Sequence, residues 1–183
     1  MHKELMILGL VADFGPITGY DLHRIVRAHG ELFTDLKKPN MYYLLERLGN
    51  EKFLRVRASQ GARGRRGERI YYTLTATGRA RFRELLEKEI LRFDSVHTGI
   101  EVAVIFLSRV RRTRAVQYLE ERRDAIQRRR EIVTAALGDL TKRGALAQLS
   151  GDHLLSSIDA ELAWTNRAIA TMRKTPPRAS KHR

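Results

Sequence analysis

The sequence predicts a mainly α-helical protein with one small β wing, divided into an N-terminal winged half and a C-terminal helical half. Three observations carry that reading. Apolar residues recur three and four apart through most of the chain. One pair of short alternating segments, residues 53–58 and 69–74, flanks a glycine- and arginine-rich stretch. The second half holds long stripes with near-heptad spacing, and 43% of the 183 residues are hydrophobic, enough for a packed core.

The elements follow in order. Lys3 to Asp13 is apolar at Leu5, Met6, Leu8, Leu10 and Val11, which suits a buried first helix stopped by Gly15 and Pro16. Thr18, with Asp21 three residues later, opens a second helix in the manner of a capping box. Leu22, Ile25 and Val26 give that helix its buried stripe, and Gly30 suits the left-handed position that ends it. Pro39 fits the first turn of a third helix, whose stripe is Met41, Leu44, Leu45 and Leu48. Tyr42 is expected to be partly buried and Tyr43 more exposed. Two strands, Phe53 to Ala58 and Arg69 to Leu74, enclose a pliable basic tip. Thr75 then caps a fourth helix running to about Phe93, with Phe82, Leu85, Leu86 and Ile90 on its buried side. Helix, helix, helix, strand, basic loop, strand, helix is the order of a winged helix-turn-helix domain, here expected over residues 1–94.

Beyond residue 95, the run Ile100 to Leu107 is almost wholly apolar. It permits a strand or a helix, and a helix is expected because no partner strand follows. In the long helix from Arg112 to Arg143, Leu119, Ile126, Val133 and Leu140 lie seven apart. The companion rail is rich in arginine, at Arg122, Arg123, Arg129 and Arg130, which does not support a strict zipper. Gly144 to Gly151 reads as a connection. Leu155, Ile158, Leu162, Thr165, Ile169 and Met172 form a last stripe, closed by Pro176 and Pro177. Residues 95–175 are therefore expected to be a helical dimerisation domain, because its apolar surface exceeds what one chain would obviously cover. Residues 176–183 are expected to be a disordered basic tail.

The chain carries 35 Lys and Arg against 21 Asp and Glu, net +14. Nine Arg and one Glu fall between residues 53 and 83, so the excess is concentrated on the wing rather than spread evenly. Such a block points to a polyanion, most simply the phosphates of double-stranded DNA. There is no Cys, so disulfides and thiolate metal sites are excluded. No segment reads as membrane-spanning or as a leader, and the chain is expected to be cytoplasmic. His23 and His29 are six apart, a poor helical metal pair, and His97 and His153 are isolated. Neither a metal nor another cofactor is expected, and no nucleophile, base and orienting group can be named for an enzyme.

Four strings then occur in order. They are Ile7-Leu8-Gly9-Leu10, Gly15-Pro16-Ile17-Thr18-Gly19-Tyr20-Asp21-Leu22, Met41-Tyr42-Tyr43-Leu44-Leu45-Glu46-Arg47-Leu48, and Arg69-Ile70-Tyr71-Tyr72-Thr73-Leu74-Thr75-Ala76-Thr77-Gly78-Arg79. Together they resemble the PadR-type transcriptional regulators, whose first half is similar word by word and whose second half is similar only in kind. Lys52 stands where that family usually has the Gly that ends the recognition helix, and Tyr43 where it often has Pro.

The resemblance implies a homodimeric repressor on a pseudo-palindromic operator. Lys37, Lys38 and Asn40 would meet DNA at the start of the third helix, with Asn40 suited to an adenine edge and Tyr42 or Tyr43 to a phosphate or a thymine methyl. Arg63, Arg65, Arg66 and Arg69 of the wing would line phosphates or a minor groove. Thr18, Gly19 and Tyr20 would offer a phosphate the start of the second helix. The resemblance also implies a small hydrophobic or aromatic effector, for which Phe93, Phe106 and Trp164 are the expected lining. The competing reading is a non-specific or architectural nucleic-acid-binding protein that uses the arginine-rich helix from Arg109 to Arg130.

Overall fold

A computed structural model describes residues 2–29, 34–60, 68–93, 98–140 and 144–174. The chain forms two compact units, Met1–Asp94 and Ser95–Arg183.

The first unit runs α1 (His2–Phe14), β1 (Ile17–Thr18), α2 (Gly19–His29), α3 (Lys38–Asn50), β2 (Leu54–Gln60), β3 (Glu68–Leu74) and α4 (Ala76–Leu91). Its core takes Leu8 and Val11 from the residues expected in α1, together with Ile7, which is not among them, then Leu22 and Val26 of α2 and Met41, Leu45 and Leu48 of α3, closed by Leu54, Tyr72 and Leu85; Leu5, Leu10, Ile25 and Leu44 pack against it half-buried. The sheet has three strands, in the order β1-β3-β2, rather than the two expected. Ile17 and Thr18 pair antiparallel with Tyr72 and Tyr71, a two-residue strand too short to show alternation in sequence.

The start of α2 is capped as its spacing suggests, with the Asp21 amide donating to the Thr18 hydroxyl at 3.1 Å and that hydroxyl donating to the Asp21 carboxylate at 2.7 Å. The end of α3 is a Schellman turn. The Phe53 amide donates to the Leu48 carbonyl and the Lys52 amide to the Gly49 carbonyl, both at 3.0 Å. The turn requires a left-handed residue, and Lys52 supplies it with φ 62°. Hydroxyls of Thr75 and Thr77 donate to the Lys52 carbonyl at 2.8 and 3.1 Å, which holds the strained residue in place. A β-carbon makes this conformation costly, by roughly 1 kcal/mol. Lys52→Gly is therefore expected to stabilise the first unit by about 1 kcal/mol, seen as a higher urea midpoint at unchanged slope.

Two of the four residues expected on the buried side of α4 are not there. Leu85 is buried and Phe82 packs on the core, but Leu86 is exposed and Ile90 is 77% exposed. The core that α4 covers, chiefly along α1, ends before the last turns of α4, so an apolar side chain there has nothing in its own unit to meet.

The second unit runs α5 (Ile100–Phe106), a 3₁₀ turn (Leu107–Arg109), α6 (Arg112–Leu140) and α7 (Ala145–Lys174). The apolar run is a helix, and none of its residues is buried. The expected connection from Gly144 to Gly151 is instead the first turns of α7, which start directly after Gly144 at φ 105°. Gly151 is buried inside α7, where a Cβ would lie 2.8 Å from Leu137 Cδ2. It is a point of close helix approach and not a helix breaker, a distinction that sequence spacing does not make.

α6 and α7 pack antiparallel. Val133 and Leu119 of one stripe and Thr165 and Ile169 of the other are buried. Two arginines of the α6 rail pair across this contact, Arg122 donating to Glu161 at 2.6 Å and Arg130 to Asp159 at 2.5 Å, and Arg173 of α7 pairs with Glu120. Arg130 lowers the Asp159 carboxyl below its ordinary value through that hydrogen bond. The two stripes cover each other in part within one chain, with Ile126, Leu155, Ile158, Leu162 and Met172 half-buried, which weakens them as an argument for a second copy and leaves α5.

Candidate nucleic-acid interface

Among the residues expected to meet DNA, those at the N-terminal end of α3 are exposed. Lys37 occupies the cap position in extended conformation with no side-chain cap, Pro39 lies in the first turn, and Lys38 and Asn40 are exposed. The Met41 amide closes the first turn on the Lys37 carbonyl at 3.0 Å. With no side chain capping the helix, its amino end presents partial positive charge beside two lysines, a local field suited to phosphate.

Further along α3, Tyr43 is 64% exposed and Tyr42 is 39% exposed, in the expected order. Tyr42 is held by contact with α2. A Cβ at Gly19 would lie 2.9 Å from Tyr42 Cε1, so glycine is what lets the phenol ring cross the start of α2. Tyr20, Tyr42 and Arg69 therefore share one groove of about 520 Å³ with Thr18 and Gly19. Within it the Thr18 hydroxyl is already engaged with Asp21, and Gly19 is buried; Tyr20, Tyr42 and Arg69 offer the exposed surface. The Tyr72 phenol below is raised above its ordinary value by burial first and then by neighbouring Tyr42 and Glu46. Arg63, Arg65 and Arg66 lie outside the described residues.

The sequence reading missed the groups that hold α3 in place. Glu4 of α1, its side chain only 11% exposed, accepts from Arg47 of α3 at 2.6 Å and from Arg81 of α4 at 2.9 Å. Arg81 also reaches Glu84 at 2.8 Å. Charge counts cannot reveal this pairing, because 43 and 77 residues separate the partners. Both arginines retain some solvent contact, so the network contributes less than a fully buried one. Glu4→Gln is expected to lower stability by about 1–2 kcal/mol, read from the urea midpoint.

The three aromatics expected to line an effector site are not gathered into one cavity among the described residues. Phe93 ends the first unit at 96% exposure, Phe106 is exposed and Trp164 is half-buried. The second unit does hold a cavity of about 640 Å³, lined by Ala125, Ile126 and Ile158 with Glu101, Arg122, Arg129 and Glu161 around them. Among the described residues no group of three or more His, Cys, Asp or Glu is placed to hold a metal ion, and no helix is long and apolar enough to cross a membrane.

Residues 7–84 match the transcriptional regulator PadR-like family. The whole fold is similar to that of Bacillus subtilis PadR in complex with operator DNA, with a TM-score of 0.76 at 20% identity over 92% of this chain and 98% of that one. The same protein in complex with p-coumaric acid gives 0.75 at 18% identity, covering 94% and 96%. The Vibrio cholerae virulence activator AphA gives 0.72 at 15% identity, covering 93% and 98%. No curated protein sequence matches. At these identities the structural likeness establishes the fold.

Proposed function

We propose, for a chain whose residues 7–84 belong to the PadR-like family of transcriptional regulators, that the protein is a homodimeric repressor reading a pseudo-palindromic operator through α3. The observation that carries this reading is the uncapped, exposed start of α3, with Lys37, Lys38 and Asn40 beside the exposed rings of Tyr42 and Tyr43. Two copies set about 34 Å apart place their third helices in successive major grooves. The dimer is supported by α5, where Val102, Ile105 and Phe106 are exposed on a helix with no buried residue. Residues 1–94 are the DNA-binding part, and residues 95–175 join the copies.

Arg122 and Arg130 pair with Glu161 and Asp159, and Arg123 lies beside Asp124, so much of the arginine-rich helix is neutralised within its own unit. That weakens the architectural alternative. For an effector, the cavity of the second unit offers an apolar floor of Ala125, Ile126 and Ile158, rimmed by Arg129, Glu101 and the paired Arg122 and Glu161, suited to a small hydrophobic molecule with a polar end. The complex of Bacillus subtilis PadR with p-coumaric acid supports that class.

The test is competition between the duplex upstream of the coding gene and a scrambled duplex of equal length. Preference of tenfold or more for the first supports base reading; equal competition supports the architectural alternative. Asn40→Ala is expected to cost about 1–3 kcal/mol on the preferred site and little on the scrambled one, measured by fluorescence anisotropy. Sedimentation at micromolar concentration is expected to give the mass of a dimer, and a monomeric mass would reject that part of the reading.

A further inference from the structure

The arginines of β2 lie on one face of the sheet, while Arg69 of β3 lines the groove beside Tyr42. Leu54 and Val56 of β2 point with Ile70 and Tyr72 of β3 into a groove under α3, which Tyr42, Tyr43 and Glu46 also line and to which no cation contributes among the described residues. Strand alternation puts Arg55 and Arg57 on the opposite face, opposite Thr73 and Tyr71. There they line a second concavity of about 770 Å³ that ends at Arg79, in the first turns of α4. Arg79 is steadied by donating to the Leu74 carbonyl at 3.2 Å, which leaves other guanidinium donors available. Among the described residues, the rest of the concavity contributes hydroxyls, from Ser59, Tyr71 and Thr73, and apolar groups of Pro16 and Leu74, with no acidic side chain.

We propose that this back face of the wing sheet is a second phosphate-binding surface, and that it grips the backbone of the same DNA duplex outside the stretch read by α3. The proposal rests on the reading of α3 as the DNA-reading helix. Arg55 and Arg57, two residues apart on one strand, stand roughly 6.8 Å from each other, so their long side chains reach neighbouring phosphates. Guanidinium forks and hydroxyls are the donors that phosphate oxygens accept from, and they carry no base preference. The face turns away from α3, so the phosphates within its reach are those flanking the half-site.

The experiment measures affinity for two operator duplexes, one trimmed to the two half-sites and one extended by a helical turn at each end with arbitrary sequence. Wild-type protein is expected to bind the extended duplex about tenfold more tightly, whatever the added sequence. Its salt slope is expected to be steeper by about three to four, matching two extra phosphates per protomer. Arg55→Gln with Arg57→Gln is expected to abolish that gain and leave affinity and specificity on the trimmed duplex intact. Arg55→Lys with Arg57→Lys is expected to restore most of it. Equal binding of both duplexes by wild type would overturn the inference while leaving the α3 reading in place. A glutamine variant that keeps the gain, or that keeps it and self-associates, would also overturn it and would assign the arginines to guarding the open β2 edge. Failure of wild type to bind any duplex would overturn both readings, and only the first unit's fold would stand.

Discussion

Replacing Gly78 by Ala is expected to destabilise the first unit by about 3 kcal/mol or more, lowering its thermal midpoint by on the order of 10–20 °C. The reason is geometric. Gly78 is buried in the first turn of α4, where its amide donates to the Thr75 hydroxyl at 2.9 Å. A Cβ there would lie far inside contact distance of the Phe53 carbonyl oxygen and 2.9 Å from Leu74 Cδ1. The Phe53 oxygen cannot retreat, because it accepts from the Thr75 amide at 3.1 Å and from the Thr75 hydroxyl at 3.0 Å. One residue before it, the Lys52 carbonyl is held by the same threonine. Any shift that relieves the clash therefore loosens the end of α3, the start of β2 and the start of α4 together. Circular dichroism melts of wild type and Gly78→Ala measure the effect. A change within about 0.5 kcal/mol would show that this junction relaxes far more easily than its hydrogen bonds indicate.

The second large effect concerns salt. If the dimer neutralises about six to ten phosphates, its affinity for operator DNA is expected to fall by roughly 10³ to 10⁵ between 50 and 200 mM salt. The sign follows from counterion release, since each phosphate paired with Arg or Lys frees a condensed cation, and added salt opposes that release. The groups available are the cations at the start of α3, Arg63, Arg65, Arg66 and Arg69 of the wing, and the basic tail. Anisotropy titrations across that range give the slope. A flat response would contradict phosphate contacts as the source of affinity, whatever the sequence preference.

Much of the first unit was legible before any coordinates, for identifiable reasons. The stripes of α2 and α3 are amphipathic at helical period, and the caps at Thr18 and Thr75 are local chemistry, decided by residues three apart. The hairpin was legible because alternation and a glycine-rich turn are also local. The exposed start of α3, with Lys37, Lys38 and Asn40, follows from Pro39 and the stripe behind it. In the second unit the long helices were legible by the same period, whereas the start of α7 was placed too late, because a glycine reads as a stop unless its packing partner is known.

The sequence by itself determined the winged helix-turn-helix order, the helical second half and the concentration of positive charge on the wing, since each of these is a property of neighbours along the chain. Only the tertiary structure decided which charges are spent inside the protein. It ties Glu4 to Arg47 and Arg81, and Glu161 and Asp159 to the arginine rail of α6. It also placed Arg55 and Arg57 on the face of the sheet turned away from α3. Pairing across tens of residues and the choice of sheet face are fixed by packing, which selects one partner from many of equal charge. The net +14 is thereby resolved into cations that hold the fold together and cations available to a ligand.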